Sequence, residues 1–79
     1  MKLRLDLGGE LDQYLRADQA AAFEIADGAS LAELVQKLPF AGRVALTSVN
    51  GTMVPPAERT ATVLQPGDEV MMLPPIKGG

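Results

Sequence analysis

The chain has no cysteine and no histidine among its 79 residues, and these two absences remove most of the side-chain chemistry a small domain could offer. Without cysteine there is no disulfide, no thiolate nucleophile and no persulfide held on a side chain. Without either residue, metal binding would fall to carboxylates alone, and Asp6, Glu10, Asp12, Asp18, Asp27, Asp68 and Glu69 do not follow the spacing of a calcium loop. No bound metal or other cofactor is expected. Acid–base catalysis near neutral pH would need a carboxylate or lysine with a strongly shifted pKa in a cleft, which so small a domain hardly provides. The chain reads as a non-enzyme. Aromatic residues are scarce, one Tyr and two Phe, no basic cluster is present, and the net charge is −3. That balance works against a phosphate backbone, so nucleic acid is not an expected partner. No apolar run reaches the length of a signal sequence core or a membrane span. The expected location is the cytoplasm, with no membrane partner.

What is present suits one compact unit. The hydrophobic fraction of 47% and charged fraction of 22% are those of an ordinary globular chain, and a chain of this length makes one domain, residues 1–79. Leu3, Leu5 and Leu7 alternate with Lys2, Arg4 and Asp6, the period of a strand with one buried face. Gly8-Gly9 breaks the pattern and reads as a turn, since no Gly-Lys-Ser/Thr follows to make a phosphate loop. Leu11, Tyr14 and Leu15 share a face over residues 10–16 and predict a short helix there. Phe23 and Ile25 mark a short strand before Asp27-Gly28. Ser30 with Glu33 three residues on forms a capping box, and Leu31, Leu34, Val35 and Leu38 make the stripe of an amphipathic helix that Pro39 ends. Residues 43–49 predict a third strand with Val44 and Leu46 on one face. Asn50-Gly51 is a strong hairpin signal leading to Met53 and Val54, Pro66-Gly67 suits a type II turn, and Val70 to Leu73 is the last strand. Strands grouped around one main helix argue an α+β sheet with the helix packed on one face.

The chain then ends in a way that draws attention to its own carboxylate. Pro74-Pro75 stops the last strand, because proline has no N–H for a ladder and fixes its φ. Residues 74–79 are expected to form an extended tail, projecting roughly 15–20 Å at about 3.1 Å per residue. Gly78-Gly79 has no side chains, so it could pass through a narrow channel of a partner enzyme. The plainer alternative is a frayed end or a tag remnant. At ordinary glycine usage, a Gly-Gly end arises by chance in only about 0.5% of chains. Alternation along the last strand sends Val70 and Met72 one way and Met71 and Leu73 the other. An exposed Leu73, joined by Met53 and Met71, would form an apolar patch at the base of the tail, and such patches usually mark interaction sites.

Val49-Asn50-Gly51, Gly67-Asp68-Glu69-Val70 and Leu73-Pro74-Pro75-Ile76-Lys77-Gly78-Gly79 together resemble the MoaD/ThiS family of ubiquitin-like sulfur carriers, over nearly the whole chain. The resemblance implies the β-grasp (ubiquitin-like) fold, a mixed sheet of four to five strands with the first and last strands side by side and parallel at its centre. It implies a function too. An adenylating, ubiquitin-activating-like enzyme would use ATP to convert the Gly79 carboxylate to an acyl adenylate, and sulfur would then displace AMP to leave a thiocarboxylate. Gly78 would be the slim link, and Met53, Met71, Leu73, Pro74, Pro75, Ile76 and Lys77 would meet the partners. The Pro-Pro-x-x-Gly-Gly ending looks most like the small subunit of molybdopterin synthase, which implies the large synthase subunit as the sulfur-accepting partner. Carriers for thiamine, cysteine and other products share similar ends, although thiamine-pathway carriers usually lack the Pro-Pro pair. Lys77 stands where these carriers have a small uncharged residue and resembles the basic residue of ubiquitin, which keeps protein modification open. Arg4 and Asp6 make the exterior of the first strand more polar than in many synthase subunits. A β-grasp binding module whose tail does no chemistry is the remaining alternative.

Overall fold

Along the first strand, β1 (Lys2–Leu7), the three leucines are buried and Lys2, Arg4 and Asp6 are exposed, so the alternation in the sequence is the alternation of one strand between core and solvent. The structure, a computed structural model, describes residues 1–76. Five strands form one sheet: β2 (Phe23–Glu24) at one edge, then β1, β5 (Glu69–Leu73), β3 (Leu46–Val49) and β4 (Thr52–Val54). β1 and β5 run parallel, whereas β2 against β1, β3 against β5 and β4 against β3 are antiparallel. Two helices complete the order, α1 (Ala17–Ala21) and α2 (Leu31–Lys37). Leu31, Leu34 and Val35 of α2 join Leu3, Leu5, Val70 and Met72 in one buried cluster, so α2 covers one face of the sheet. A mixed sheet with a parallel central pair and one main helix on one face is the β-grasp fold.

The start of α2 lies where its capping residues place it. The Glu33 N–H donates to Ser30 Oγ at 3.1 Å, and the Ser30 N–H donates to Glu33 Oε1 at 3.2 Å, satisfying two donors that a helix N-terminus otherwise leaves open. Ser30→Ala removes the first of these bonds and is expected to cost about 1 kcal/mol. In a domain this size that lowers the melting temperature by about 4–8 °C. An unchanged thermal melt would show that packing alone fixes the helix start.

Turn chemistry is also legible in the backbone. Asn50 and Gly51 take φ of +50° and +86°, the pair of left-handed residues a type I′ hairpin needs between β3 and β4. Gly67 has φ +83°, and the Asp68 N–H donates to Gln65 O at 3.1 Å, closing the turn before β5. Asn50 Nδ2 donates to Asp68 Oδ1, and the Glu69 N–H donates to Asn50 Oδ1, both at 2.9 Å. The two turns are thereby tied together.

Two segments depart from the sequence expectation. Residues 10–16 do not form an α-helix: a 3-10 turn, Gly9–Gln13, is followed by α1 at Ala17–Ala21. Leu11 is fully buried, its N–H and that of Tyr14 make three-residue bonds to Gly8 O and Leu11 O, and the Tyr14 ring lies 5.2 Å from that of Phe40. The apolar residues therefore anchor a tight turn. α1 has no fully buried residue, so it left no stripe to read. The third strand begins at Leu46 instead of residue 43, because Ala41–Arg43 forms a second 3-10 turn. Register decides which side faces inward. Thr47 stands opposite the buried Met72, and Leu46 opposite Leu73, and directly opposed residues share a face of the sheet. Thr47 is thus in the core and Leu46 is 41% exposed. The buried hydroxyl is satisfied, donating to Val54 O at 2.9 Å and accepting from Arg59 Nε at 3.1 Å. Among the described residues, no helix is long and apolar enough to cross a membrane.

Candidate functional site

The face of the sheet opposite α2 carries the residues singled out at the base of the tail. Val70 and Met72 are fully buried, and Met71 and Leu73 point the other way and are half-buried. Pairing brings their neighbours beside them. Met53 lies opposite Ser48 and Ser48 opposite Met71, a row across β4, β3 and β5; Leu46 opposite Leu73 forms the next row toward the tail. Met53 is 52% exposed. Met53, Met71 and Leu73 are therefore brought to one face, with Leu46 as a fourth apolar member. The sequence places Leu46 on one face of its strand with Val44 and leaves open which face that is; the outward phase of Leu73, its partner across the ladder, assigns it to the exterior. On the β1 side the same face turns polar, with Asp6 beside Met71 and an exposed Arg4–Glu69 ion pair at 3.8 Å.

Leu73 is less exposed than expected because it has a seat on the body. A Cβ placed on Gly8 would overlap Leu73 Cδ2, and one on Gly9, whose φ is +55°, would stand 3.0 Å from Pro74 Cγ. The Gly8-Gly9 pair, read from the sequence as a turn, is thus also the floor under Leu73 and Pro74. The strand is held on both sides up to that point, by the Gly8 N–H donating to Met72 O at 2.9 Å and the Ala45 N–H donating to Leu73 O at 2.8 Å. Pro74 is half-buried and has no N–H to continue the ladder. Pro75 is exposed, and Ile76 is 90% exposed, adding an apolar side chain beyond the Leu46–Leu73 row. Lys77, Gly78 and Gly79 lie outside the described residues. Beside Pro75, Glu10, Gly42 and Arg43 line a cleft of about 160 Å³. Glu10 Oε1 accepts there from Arg43 Nε at 3.1 Å, with Arg43 Nη2 at 3.0 Å. A wider open groove of about 560 Å³ runs between β1 and α1, with Asp6, Asp12, Ala17 and Ala20 among its walls.

What these elements offer is an apolar surface beside the point where the chain leaves the sheet. The profile of the ThiS family matches residues 9–79, from the glycine seat through β5 to the last residue. The chain belongs to the ThiS family. Among solved structures, this ThiS-family chain is similar to a thiamine biosynthesis protein (ThiS) from Geobacter metallireducens, at 22% identity and a TM-score of 0.69, with 100% of each chain covered. That likeness shows the shared β-grasp fold. No curated protein matches the sequence significantly.

Proposed function

We propose that this ThiS-family chain carries sulfur as a thiocarboxylate on Gly79. The observation that carries the reading is the exit of the chain at Pro74 beside the exposed face of Leu46, Met53, Met71 and Leu73, in a sequence with no cysteine to hold sulfur elsewhere. A carboxylate is a poor electrophile, so it must first be activated. One oxygen of the Gly79 carboxylate attacks the α-phosphorus of ATP, a new P–O bond forms, and pyrophosphate leaves. A hydrosulfide nucleophile then attacks the acyl carbon; the C–S bond forms, the C–O bond to the phosphate breaks, and AMP departs with its electron pair. The partner enzyme supplies the nucleotide site, the metal and the general bases. The carrier supplies a docking surface and a tail, residues 74–79, slim enough at Gly78 to enter the partner.

For the acceptor, Pro74-Pro75 favours a role as the small subunit of molybdopterin synthase, passing sulfur to a pterin precursor on the large subunit. A second reading, sulfur delivery in thiamine biosynthesis, is favoured by the fold and length shared with the Geobacter metallireducens protein. Both would operate in the cytoplasm. Incubation with ATP, an activating enzyme and sulfide is expected to raise the intact mass by the difference between sulfur and oxygen. The thiocarboxylated protein is then offered to each acceptor system, and the one that consumes it identifies the pathway. No mass change with activating enzymes of either pathway would overturn the carrier reading. Abundant lysine conjugates in cells that vanish with Gly79 would replace it by protein modification.

A further inference from the structure

Two turns far apart in the sequence meet where the tail leaves the sheet. The first 3-10 turn, Gly9–Gln13, and the second, Ala41–Arg43, are joined by the Glu10–Arg43 ion pair, and Pro75 lines the cleft that this pair borders. Beneath them, Leu73 and Pro74 rest on Gly8 and Gly9. We propose that Gly8, Gly9, Glu10 and Arg43 form a collar that aims the tail, making them positioning residues for delivery of the Gly79 carboxylate to the activating enzyme. The proposal rests on the carrier reading above.

Gly8 is the most telling member. Its backbone, at φ −89° and ψ 161°, is extended and open to any residue, so its own conformation does not call for glycine. The side chain of Leu73 does, because it fills the space a Cβ would take. Pro74 and Pro75 each fix their φ, and a residue before proline is itself restricted. The main freedom left to the start of the tail is how Leu73 and Pro74 sit on the body, and the glycine floor removes it. The ion pair adds a wall next to Pro75. A carboxylate on an aimed stalk arrives in the partner's site more often in a reactive pose, and errors near 1 Å in such poses cost about 100-fold in rate.

Gly8→Ala tests this by displacing Leu73 without straining the backbone. With the activating enzyme and ATP–pyrophosphate exchange as the readout, it is expected to lower kcat by about tenfold or more. The circular dichroism of the folded protein stays unchanged. In a Leu73→Ala background the added methyl has room, so the same substitution is expected to lose most of its effect. Arg43→Ala, at an exposed position, opens the collar from the other side and should lower kcat several-fold. A purely structural role would lower the melting temperature while leaving kcat of the folded protein alone, and a docking role would raise KM. Either result overturns the collar, as does an unchanged kcat in both single variants. If Gly8→Ala fails to fold, Arg43→Ala decides. If the parent protein is not adenylated at all, the carrier reading fails and NMR judges the collar. Contacts between the Gly9 Hα and Pro74 ring hydrogens that weaken in Arg43→Ala support it, and their absence from the parent overturns it.

Discussion

A chain shortened by Gly78 and Gly79 is expected to take up no sulfur, yet to melt at the temperature of the full-length protein. The buried cluster ends at Met72, and the main chain is held to the sheet through the carbonyl of Leu73, so losing the last two residues removes no packing or ladder bond among the described residues. It does remove the proposed acceptor. With no cysteine in the chain, no thiol can stand in for it, and the new terminus at Lys77 bears a side chain that a channel shaped for glycine excludes. Intact mass after incubation with ATP, activating enzyme and sulfide, compared with thermal melts of both forms, checks the pair of expectations. Sulfur uptake by the shortened chain would place the carrier group elsewhere.

The two faces of the sheet should separate under mutation as sharply. Met72 is fully buried in the cluster, whereas Met53 is half in solvent on the outer face. Met72→Ala deletes packed methylenes and leaves a cavity, at a cost of about 2–5 kcal/mol. A domain of this length has a total stability of roughly 4–12 kcal/mol, so the melting temperature is expected to fall by about 10 °C or more. Met53→Ala should stay within about 0.5 kcal/mol of the parent and instead weaken binding to the activating enzyme. Denaturant melts and a titration with that enzyme measure the two effects. Equal destabilisation by both variants would mean that the outer face is structural and not a docking surface.

These contrasts follow from which parts of the fold could be read along the chain. β1, the capping box of α2, the Asn50-Gly51 hairpin and the turn at Gly67 were legible because each depends on residues a few positions apart. The opposite phases of Met71 and Met72 were legible for the same reason. What could not be read from residue patterns alone depends on distant pairing. The parallel contact of β1 with β5 came only from family resemblance, since neither strand's pattern names its partner. Leu46 faces out because of Met72 and Leu73 across the ladder, and nothing beside it in the sequence says so. The Leu11 and Tyr14 positions looked helical because burial in a tight turn and burial on a helix leave the same apolar spacing. Gly8-Gly9 looked like a plain turn because its second role is to receive a side chain from the far end of the chain.

The place of β5 in the sheet bears on how the body would take a pull on the tail. Its neighbours hold it on both sides, β1 parallel and β3 antiparallel, and the tail continues from its C-terminal end. A pull along the tail therefore runs along the strand axis, across hydrogen bonds on both flanks that are loaded together in shear. An edge strand such as β4 would instead be peeled away one bond at a time. Extraction under tension is governed by the rate of unfolding, and bonds loaded together in shear are expected to keep that rate low, so under the carrier reading proposed above a withdrawal of the tail from a partner would leave the body folded.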